Sequence, residues 1–168
     1  MTKKIEVGIL MGSDSDMGVM EEAARVLKEF GIGYEVVITS AHRTPRRTTF
    51  YAESAERRGI KILIAGAGYA AHLAGVVAAQ TTLPVIGVPI DSSSLKGLDS
   101  ILSTVQMPGG VPVATMSIGK PGAKNAGIFA VQMLALTSKV LRKRLVHYRQ
   151  MMEKQVIRKS KKLRKKSA

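Results

Sequence analysis

The stretch IKILIAGAG, residues 60–68, decides the fold. From Ile62 to Ala65 it is continuously apolar, and it then passes into glycine and alanine. A short apolar run without polar alternation is typical of a strand that helices cover on both faces, as in a parallel sheet. We therefore predict a buried strand over 60–68, followed by a loop of small residues.

The same pattern recurs on both sides of this stretch. We predict four further strands, at 5–11, 34–40, 84–90 and 111–118, and helices at 16–31, 44–59, 70–81, 95–106, 122–136 and 138–160. Strands that alternate with helices predict an α/β protein, a three-layer α/β/α sandwich around a central parallel sheet of the flavodoxin-like or Rossmann-like kind, with a C-terminal helical extension. Ligands of such sheets bind beyond the carboxyl ends of the strands, so we expect a site in the loops there.

The positive charge is concentrated at the end of the chain. The net charge is +14, and residues 139–168 hold 13 Lys and Arg against one acid, whereas residues 1–138 hold 13 against 11. We predict one α/β catalytic domain over 1–138 and a basic helix and tail over 139–168. Because the domain is nearly neutral and no aromatic residue follows Tyr148, we expect no nucleic acid partner. The tail is either a solvated terminus or a polyanion-binding segment.

Several absences narrow the class of protein. No run of 18 apolar residues occurs, so we expect no transmembrane helix, and the N-terminus lacks the apolar core of a signal peptide. The chain has no cysteine, which excludes disulfides and thiolate chemistry and suits a cytoplasmic location. Histidines at metal-binding spacing such as H-x-x-x-H are missing, so we expect no metal.

The first candidate loop, MGSDSDM at 11–17, has the character of an anion pocket. The hydroxyls of Ser13 and Ser15 lie beside the free amides of a helix start. Asp16 is either an acid in the first helical turn, where the helix dipole favours a negative charge, or a residue that binds ribose hydroxyls. The alternative is simple capping by Asp14 or Ser15. The loop matches neither the dinucleotide fingerprint nor the Walker motif.

The second loop, SAHRTP at 40–45, carries the strongest chemistry. Arg43 is a natural fork for a phosphate or carboxylate, and His42 can exchange protons near neutral pH. The alternative is a histidine bonded to backbone and an arginine in a surface ion pair. Thr44 as a cap and Pro45 in the first turn are expected to start the next helix.

The third loop, AGAGYAAHLAG at 65–75, consists largely of glycine and alanine, which suits a mobile loop over a planar ligand. His72 is either a second titrating group or a packed or capping histidine, and we expect His147 to be structural or exposed. From the residues alone, we predict a phosphorylated small molecule at the strand ends, with His42 as the candidate proton carrier.

These three loops, together with LPVIGVP, GLDSILSTVQMPGGVPVAT and AKNAG in this order and spacing, resemble the N5-carboxyaminoimidazole ribonucleotide mutase family, the catalytic subunit of phosphoribosylaminoimidazole carboxylase in purine biosynthesis. The resemblance runs from about Val7 to Leu136. Arg43 and the segment AAHL look like the mutase class, whereas the class that uses free CO2 has a lysine after the histidine. Tyr69 stands where the family has a glycine, and a positive φ there would strain it. Ala74 stands where the family has a proline.

The resemblance implies an isomerase that moves a carboxylate from the exocyclic nitrogen to ring carbon 4 of 5-aminoimidazole ribonucleotide, without a cofactor. It implies that His42 is the general acid and base, and that the substrate is bound by Ser13, Ser15, Asp16, Ser40, Arg43, Gly68, Ala70, Ala71, His72 and Leu73. Within that set, Ser40 and Arg43 would hold the phosphate. The resemblance further implies a homo-octamer and functional coupling to the ATP-dependent N5-carboxylating enzyme. Direct carboxylation by CO2, and a nucleotide- or polyanion-binding protein with a modified site, are the alternatives.

Overall fold

The computed structural model describes residues 4–164, which divide between Ala130 and Val131 into two compact units. The first unit contains a five-stranded sheet in the order β2-β1-β3-β4-β5, and every neighbouring pair is parallel. The strands are β1 Ile5–Met11, β2 Gly33–Ile38, β3 Ile62–Ala67, β4 Val85–Pro89 and β5 Ala114–Thr115. The predicted parallel α/β sheet is therefore confirmed. The predicted domain boundary after residue 138 stays a prediction.

The stretch that predicted the fold lies in the middle of the sheet. Strand β3 pairs with β1 on one side and β4 on the other, and Leu63 and Ile64 are fully buried. The facing strand β1 is equally buried from Val7 to Met11. Strands buried on both faces need no polar alternation, which explains the continuous apolar runs.

Six α-helices connect and follow the strands. They are α1 Met17–Glu29, α2 Pro45–Ala55, α3 Leu73–Ala78, α4 Leu98–Val105, α5 Lys120–Ala135 and α6 Lys139–Arg164. Short 3-10 turns at Asp14–Asp16 and Glu56–Arg58 precede α1 and extend α2. Gly31 and Gly59 lie beyond the ends of α1 and α2 with φ of 75° and 90°, the left-handed conformation that a helix stop favours.

Helices cover both faces of the sheet. Helices α2 and α3 contribute Ala52, Ala55 and Val77 to one apolar cluster with Leu10 and Leu63. Helices α1 and α5 contact each other through their small residues, because a Cβ added at Gly127 would lie 2.9 Å from Val26 and 3.2 Å from the Ala23 Cα. The three-layer arrangement is thus confirmed.

Two elements are no more than half as long as the sequence pattern predicts. Helix α3 begins at Leu73 instead of residue 70, because the amides just before it are used elsewhere: the Ala71 amide donates to the Ser103 hydroxyl and the His72 amide to the Ala70 carbonyl. Strand β5 spans only Ala114–Thr115 instead of 111–118. It pairs on one side only, with Ile86 and Gly87 of β4, and Pro112 before it has no amide to donate.

The second unit contains the end of α5 and the helix α6, which is four residues longer at its C-terminus than the predicted 138–160 segment. None of the residues of α6 is buried, and His147 is exposed. Between residues 4 and 164, no helix combines the length and the apolar character needed to cross a membrane.

Candidate active site

A cleft of about 440 Å³ opens where the strands β1 to β4 end. Four loops line it, one after each of these strands, and β1 lies where the strand order changes direction between β2 and β3. This is the switch point at which parallel α/β sheets bind their ligands. The lining residues are Gly12, Ser13, Ser15, Asp16, Ser40, Ala41, His42, Arg43, Ala67, Gly68, Tyr69, Ala70, His72, Leu73 and Ser92.

The first loop is organised by Ser13. Its amide donates to the Asp16 carboxylate at 3.1 Å, and its hydroxyl accepts from the Ser15 amide at 3.4 Å, a capping box for the short 3-10 turn. Ser13 therefore caps, where the sequence suggested Asp14 or Ser15. The Ser13 hydroxyl also donates to Asp14 at 2.9 Å, and this bond lowers the pKa of the Asp14 carboxyl.

Asp16 is a buried acid at the edge of the cleft. Only 6% of its surface is exposed, and burial raises the pKa of its carboxyl above the ordinary value, against hydrogen bonds from Ser13 and Gly12 and the charge of Arg43. Burying a charge costs free energy, and the bond from the Ser13 amide offsets part of that cost. It lines the cleft, where it can accept hydrogen bonds from hydroxyls.

Arg43 joins the first loop to the second. Its Nη2 donates to the Gly12 carbonyl at 2.7 Å, and its backbone amide donates to the Ser40 hydroxyl at 3.1 Å. The guanidinium is thereby aimed across the cleft while its side chain stays exposed. Because a guanidinium has five N–H donors, one bond to Gly12 leaves others for an anion.

Thr44 holds the second loop together instead of capping α2. It occupies the N-cap position, but its side chain makes no cap hydrogen bond. Its hydroxyl instead donates to the Ser40 carbonyl at 3.1 Å and accepts from the Ser40 amide at 2.9 Å. The predicted cap is wrong, because the hydroxyl is already used to close the turn that carries His42 and Arg43.

His42 and His72 are in direct contact. His42 Nε2 lies 2.8 Å from His72 Nδ1, and the rings meet edge to face with their centroids 5.0 Å apart. Only one of the two facing nitrogens can carry the hydrogen of this bond. His72 stands at the N-cap of α3 without capping it, so its imidazole serves the contact with His42 instead of the helix.

The third loop packs closely against its neighbours at two points. A Cβ added at Gly68 would overlap the Ser92 hydroxyl oxygen and lie 3.1 Å from the Ile90 carbonyl oxygen, so glycine allows a close approach to the loop that follows β4. The Ala71 amide donates to the Ser103 hydroxyl of α4 at 2.9 Å. These contacts hold residues 68–72 next to the histidine pair.

Tyr69 lies between these two anchor points and behaves differently. Its φ is 53°, so the strain predicted for a positive φ at this position is present, and its side chain is 63% exposed. It lines the cleft together with Gly68 and Ala70 on either side. The bulk of Tyr69 is therefore accommodated at the rim of the cleft.

The structure brings together nine of the ten substrate-binding residues expected from sequence, and His42 with them. Ala71 does not line the cleft; it is 2% exposed and its amide is bonded to Ser103. Ser92 and Tyr69 line the cleft but were not singled out as site residues. Ser92 lies in the serine-rich loop after β4, where its position after a strand end was the available signal.

Residues 4–164 contain no group of three or more histidine, cysteine or acidic side chains arranged to hold a metal ion. The chemistry of the cleft is that of imidazoles, a guanidinium, hydroxyls and one buried carboxylate.

Known proteins resemble this chain over most of its length. A profile described as AIR carboxylase matches residues 6–155. The N5-carboxyaminoimidazole ribonucleotide mutase of Thermotoga maritima is 55% identical over 157 residues, which are 94% of this chain and 91% of that protein. The mutase of the same name from Bacillus subtilis is 54% identical over 154 residues, covering 92% of this chain and 95% of that protein.

Solved structures agree in fold as well as in sequence. The crystal structure of Treponema denticola PurE superimposes with a TM-score of 0.84 at 34% identity, covering 94% of this chain and 97% of that one. Together with the matched profile, these similarities show that the chain belongs to the AIR carboxylase family.

Proposed function

We propose that this chain converts N5-carboxyaminoimidazole ribonucleotide into 4-carboxy-5-aminoimidazole ribonucleotide, an isomerisation in purine biosynthesis. Relatives that bear the mutase name are 53% to 58% identical to it. The observation within the chain that carries the proposal is the cleft at the switch point, where an imidazole and a guanidinium lie on the same loop. A domain over residues 1–138 would then be the catalytic one.

His42 is the proposed acid and base. The protonated imidazole gives its proton to the exocyclic nitrogen as the carbon–nitrogen bond to the carboxylate breaks, which releases CO2 and aminoimidazole ribonucleotide inside the cleft. Carbon 4 then attacks the CO2, and the neutral imidazole takes the proton that carbon 4 loses. One proton leaves and returns, so one imidazole serves both steps and no organic cofactor is required.

His72 is proposed to orient His42. Their 2.8 Å contact fixes one nitrogen of His42, which leaves its ring in a defined plane for the substrate. The contact can also hold the hydrogen while His42 changes its protonation state. Because His72 stands on the third loop, movement of that loop would change the position of His42.

The phosphate and ribose are assigned to the first two loops. Arg43 and Ser40 would bind the phosphate, with Ser13 and Ser15 as further donors around the same anion. Asp16 would accept hydrogen bonds from ribose hydroxyls, which explains why a costly buried carboxylate lines the cleft.

The third loop is assigned to the base and to CO2. Gly68, Ala70 and Leu73 offer small or apolar groups to the cleft, and Leu73 is 2% exposed within its wall. An apolar wall suits CO2, which is uncharged, and excludes the water that would carry it away.

A turnover assay tests the function directly. The purified chain is supplied with N5-carboxyaminoimidazole ribonucleotide, and separately with aminoimidazole ribonucleotide plus bicarbonate at low CO2. Turnover of the first substrate alone is expected. Turnover that requires bicarbonate would instead make the chain a direct carboxylase, and absence of both would refute the proposal.

We further propose that the chain assembles as a homo-octamer, works in the cytoplasm, and receives its substrate from an ATP-dependent N5-carboxylating enzyme.

An apolar stripe on and just before α4 supports the proposed assembly. It consists of four side chains at helical spacing that are each about half exposed: Leu95, Leu98, Leu102 and Val105. Light scattering of the chain and of Leu98→Lys tests it, and a wild-type chain that stays monomeric at micromolar concentration would overturn it.

A second candidate function is polyanion binding by the C-terminus. It is favoured by α6, in which Lys154, Arg158, Lys161 and Lys162 lie with Ile157 on one exposed face of the helix. Removing residues 158–168 separates the two functions. A polyanion binder would lose its salt-dependent affinity for duplex RNA, whereas the mutase would keep its turnover.

A further inference from the structure

Tyr69 is held in a conformation that its residue type disfavours. Among residues 4–164, only Tyr69 and Lys96 are non-glycine residues with positive φ, at 53° and 49°. A side chain with a Cβ is strained there, and a bulky aromatic one more than most. Such strain persists only where something compensates for it.

Packing within the chain compensates little for this strain. The Tyr69 side chain is 63% exposed, so its large apolar surface remains mostly in water. A lysine in a strained turn keeps its charge hydrated, but an exposed aromatic ring gains little from solvent. A molecule bound in the cleft would bury this ring and supply compensation.

The position of Tyr69 indicates which part of the molecule it meets. It lines the cleft, and His72 lies three residues further along the same loop in contact with His42. Because His42 is the proposed proton carrier, the reacting ring would lie beside His42 and His72, whereas the proposed phosphate ligand Arg43 is bonded to Gly12 of the first loop. The ring of the substrate is therefore the part that Tyr69, on the same loop as His72, would meet.

We propose that Tyr69 is a substrate-binding residue whose ring stacks on the planar imidazole of the bound ribonucleotide. This inference rests on the proposed function for the identity of the ring. Stacking on an aromatic face is tolerant of ring chemistry and buries the apolar surface that is otherwise exposed. The strained backbone keeps the ring at the rim, ready to cover the ligand.

Three substitutions separate the effect of the Tyr69 ring from the effect of the strained backbone. Tyr69→Phe keeps the ring, Tyr69→Ala removes the ring but keeps a Cβ at positive φ, and Tyr69→Gly removes both. Melting temperature reports the strain, and steady-state kinetics with N5-carboxyaminoimidazole ribonucleotide reports the stacking. Lys96→Gly is the matched control, because it relieves the other positive-φ residue, which does not line the cleft.

We expect the KM of Tyr69→Phe to stay within about twofold of the wild type, and the KM of both Tyr69→Ala and Tyr69→Gly to rise about tenfold, as loss of one stacking contact predicts. Tyr69→Gly should melt at a higher temperature than Tyr69→Ala, the reverse of the usual order. Lys96→Gly should leave KM unchanged.

The outcomes distinguish the inference from the function on which it rests. A wild-type chain without turnover refutes the proposed function. An active wild-type chain whose KM does not change in Tyr69→Ala and Tyr69→Gly refutes the stacking alone. An equal rise of KM in Tyr69→Phe also refutes it, because the ring is then not the group that binds.

Discussion

The second and third loops of the cleft are built in opposite ways. In the second loop, the Thr44 hydroxyl closes the turn on Ser40, and Arg43 is bonded to Gly12 across the cleft. In the third loop, residues 68–72 are held by the Ser103 bond and the close approach of Ser92, around a strained and exposed Tyr69.

The difference separates two tasks. Groups that hold a phosphate and exchange a proton must be in place before the substrate arrives, because each displacement of the reacting atoms is expensive in rate. If the third loop covers the ring of the substrate, as proposed, it has to open and close, and its strained Tyr69 suits that task. The bond between His42 and His72 is where the second loop, here called the fixed loop, meets the third, here called the adaptable loop.

Removing the proton carrier gives the largest expected effect. His42→Asn should lower kcat by about 10²- to 10⁴-fold, the usual contribution of a general acid and base, without lowering the melting temperature. The matched control is His147→Asn in α6, whose exposed imidazole is outside the cleft. Retained turnover in the first variant would exclude His42 from the proton transfer.

Arg43→Lys tests the fixed loop next. Lysine keeps the charge but loses the fork that reaches Gly12 and the anion together, so KM should rise about 10- to 100-fold. Arg46→Lys, on the exposed start of α2, is the control. If the two variants behave alike in steady-state kinetics, Arg43 does not bind the phosphate.

Variants of His72 test the junction between the loops. His72→Phe should lower kcat by about tenfold, because His42 loses its partner, and His72→Asn should lose less because its amide can still bond. KM should change little in either. A KM effect larger than the kcat effect would make His72 a binding residue instead of a positioning one.

Asp16→Asn tests the charge buried in the first loop. Burial raises the folded-state pKa of Asp16, so the wild type loses stability as the pH rises from the unfolded value of about 3.9 through the folded value. The Asn variant lacks this loss. Its melting temperature should therefore be close to that of the wild type at pH 4 and higher than that of the wild type at pH 7, while its KM rises. A difference in melting temperature that stays constant from pH 4 to pH 7 would contradict this interpretation of Asp16.

Ser103→Ala gives the smallest expected effect, on the anchor of the adaptable loop. The Ala71 amide loses its acceptor, which should cost about 1 kcal/mol of unfolding free energy and raise KM about two- to threefold. Chemical denaturation and kinetics measure the two effects. Thr81→Ala, whose hydroxyl accepts from the Leu83 amide away from the cleft, is the control.

The sequence predicted the sheet because its strands are buried on both faces, and a continuous apolar run as short as 62–65 is typical of such strands. It predicted β5 poorly, since an edge strand beside Pro112 depends on its one partner and not on its own composition. The late start of α3 follows from the bond between the Ala71 amide and Ser103, which a composition rich in alanine does not reveal.

Within the site, residues next to strand ends were predictable because parallel strands bring their carboxyl ends to one edge. Contacts between loops were not. Three of these contacts join residues far apart in sequence: His42 with His72, the Ala71 amide with Ser103, and Gly68 with Ser92. No local pattern encodes such contacts, because they depend on how the loops pack.

Helix α6 has a consequence of another kind. Lys154, Arg158 and Lys162 follow one another at four-residue spacing, so like charges face each other along one side of an exposed helix. Dissolved ions screen that repulsion, with a screening length of about 10 Å at 0.1 M salt that shortens as more salt is added. The helical state of this segment is therefore coupled to ionic strength, and added salt stabilises it by a few tenths of a kcal/mol for each such pair at most, about 0.2–0.5 kcal/mol.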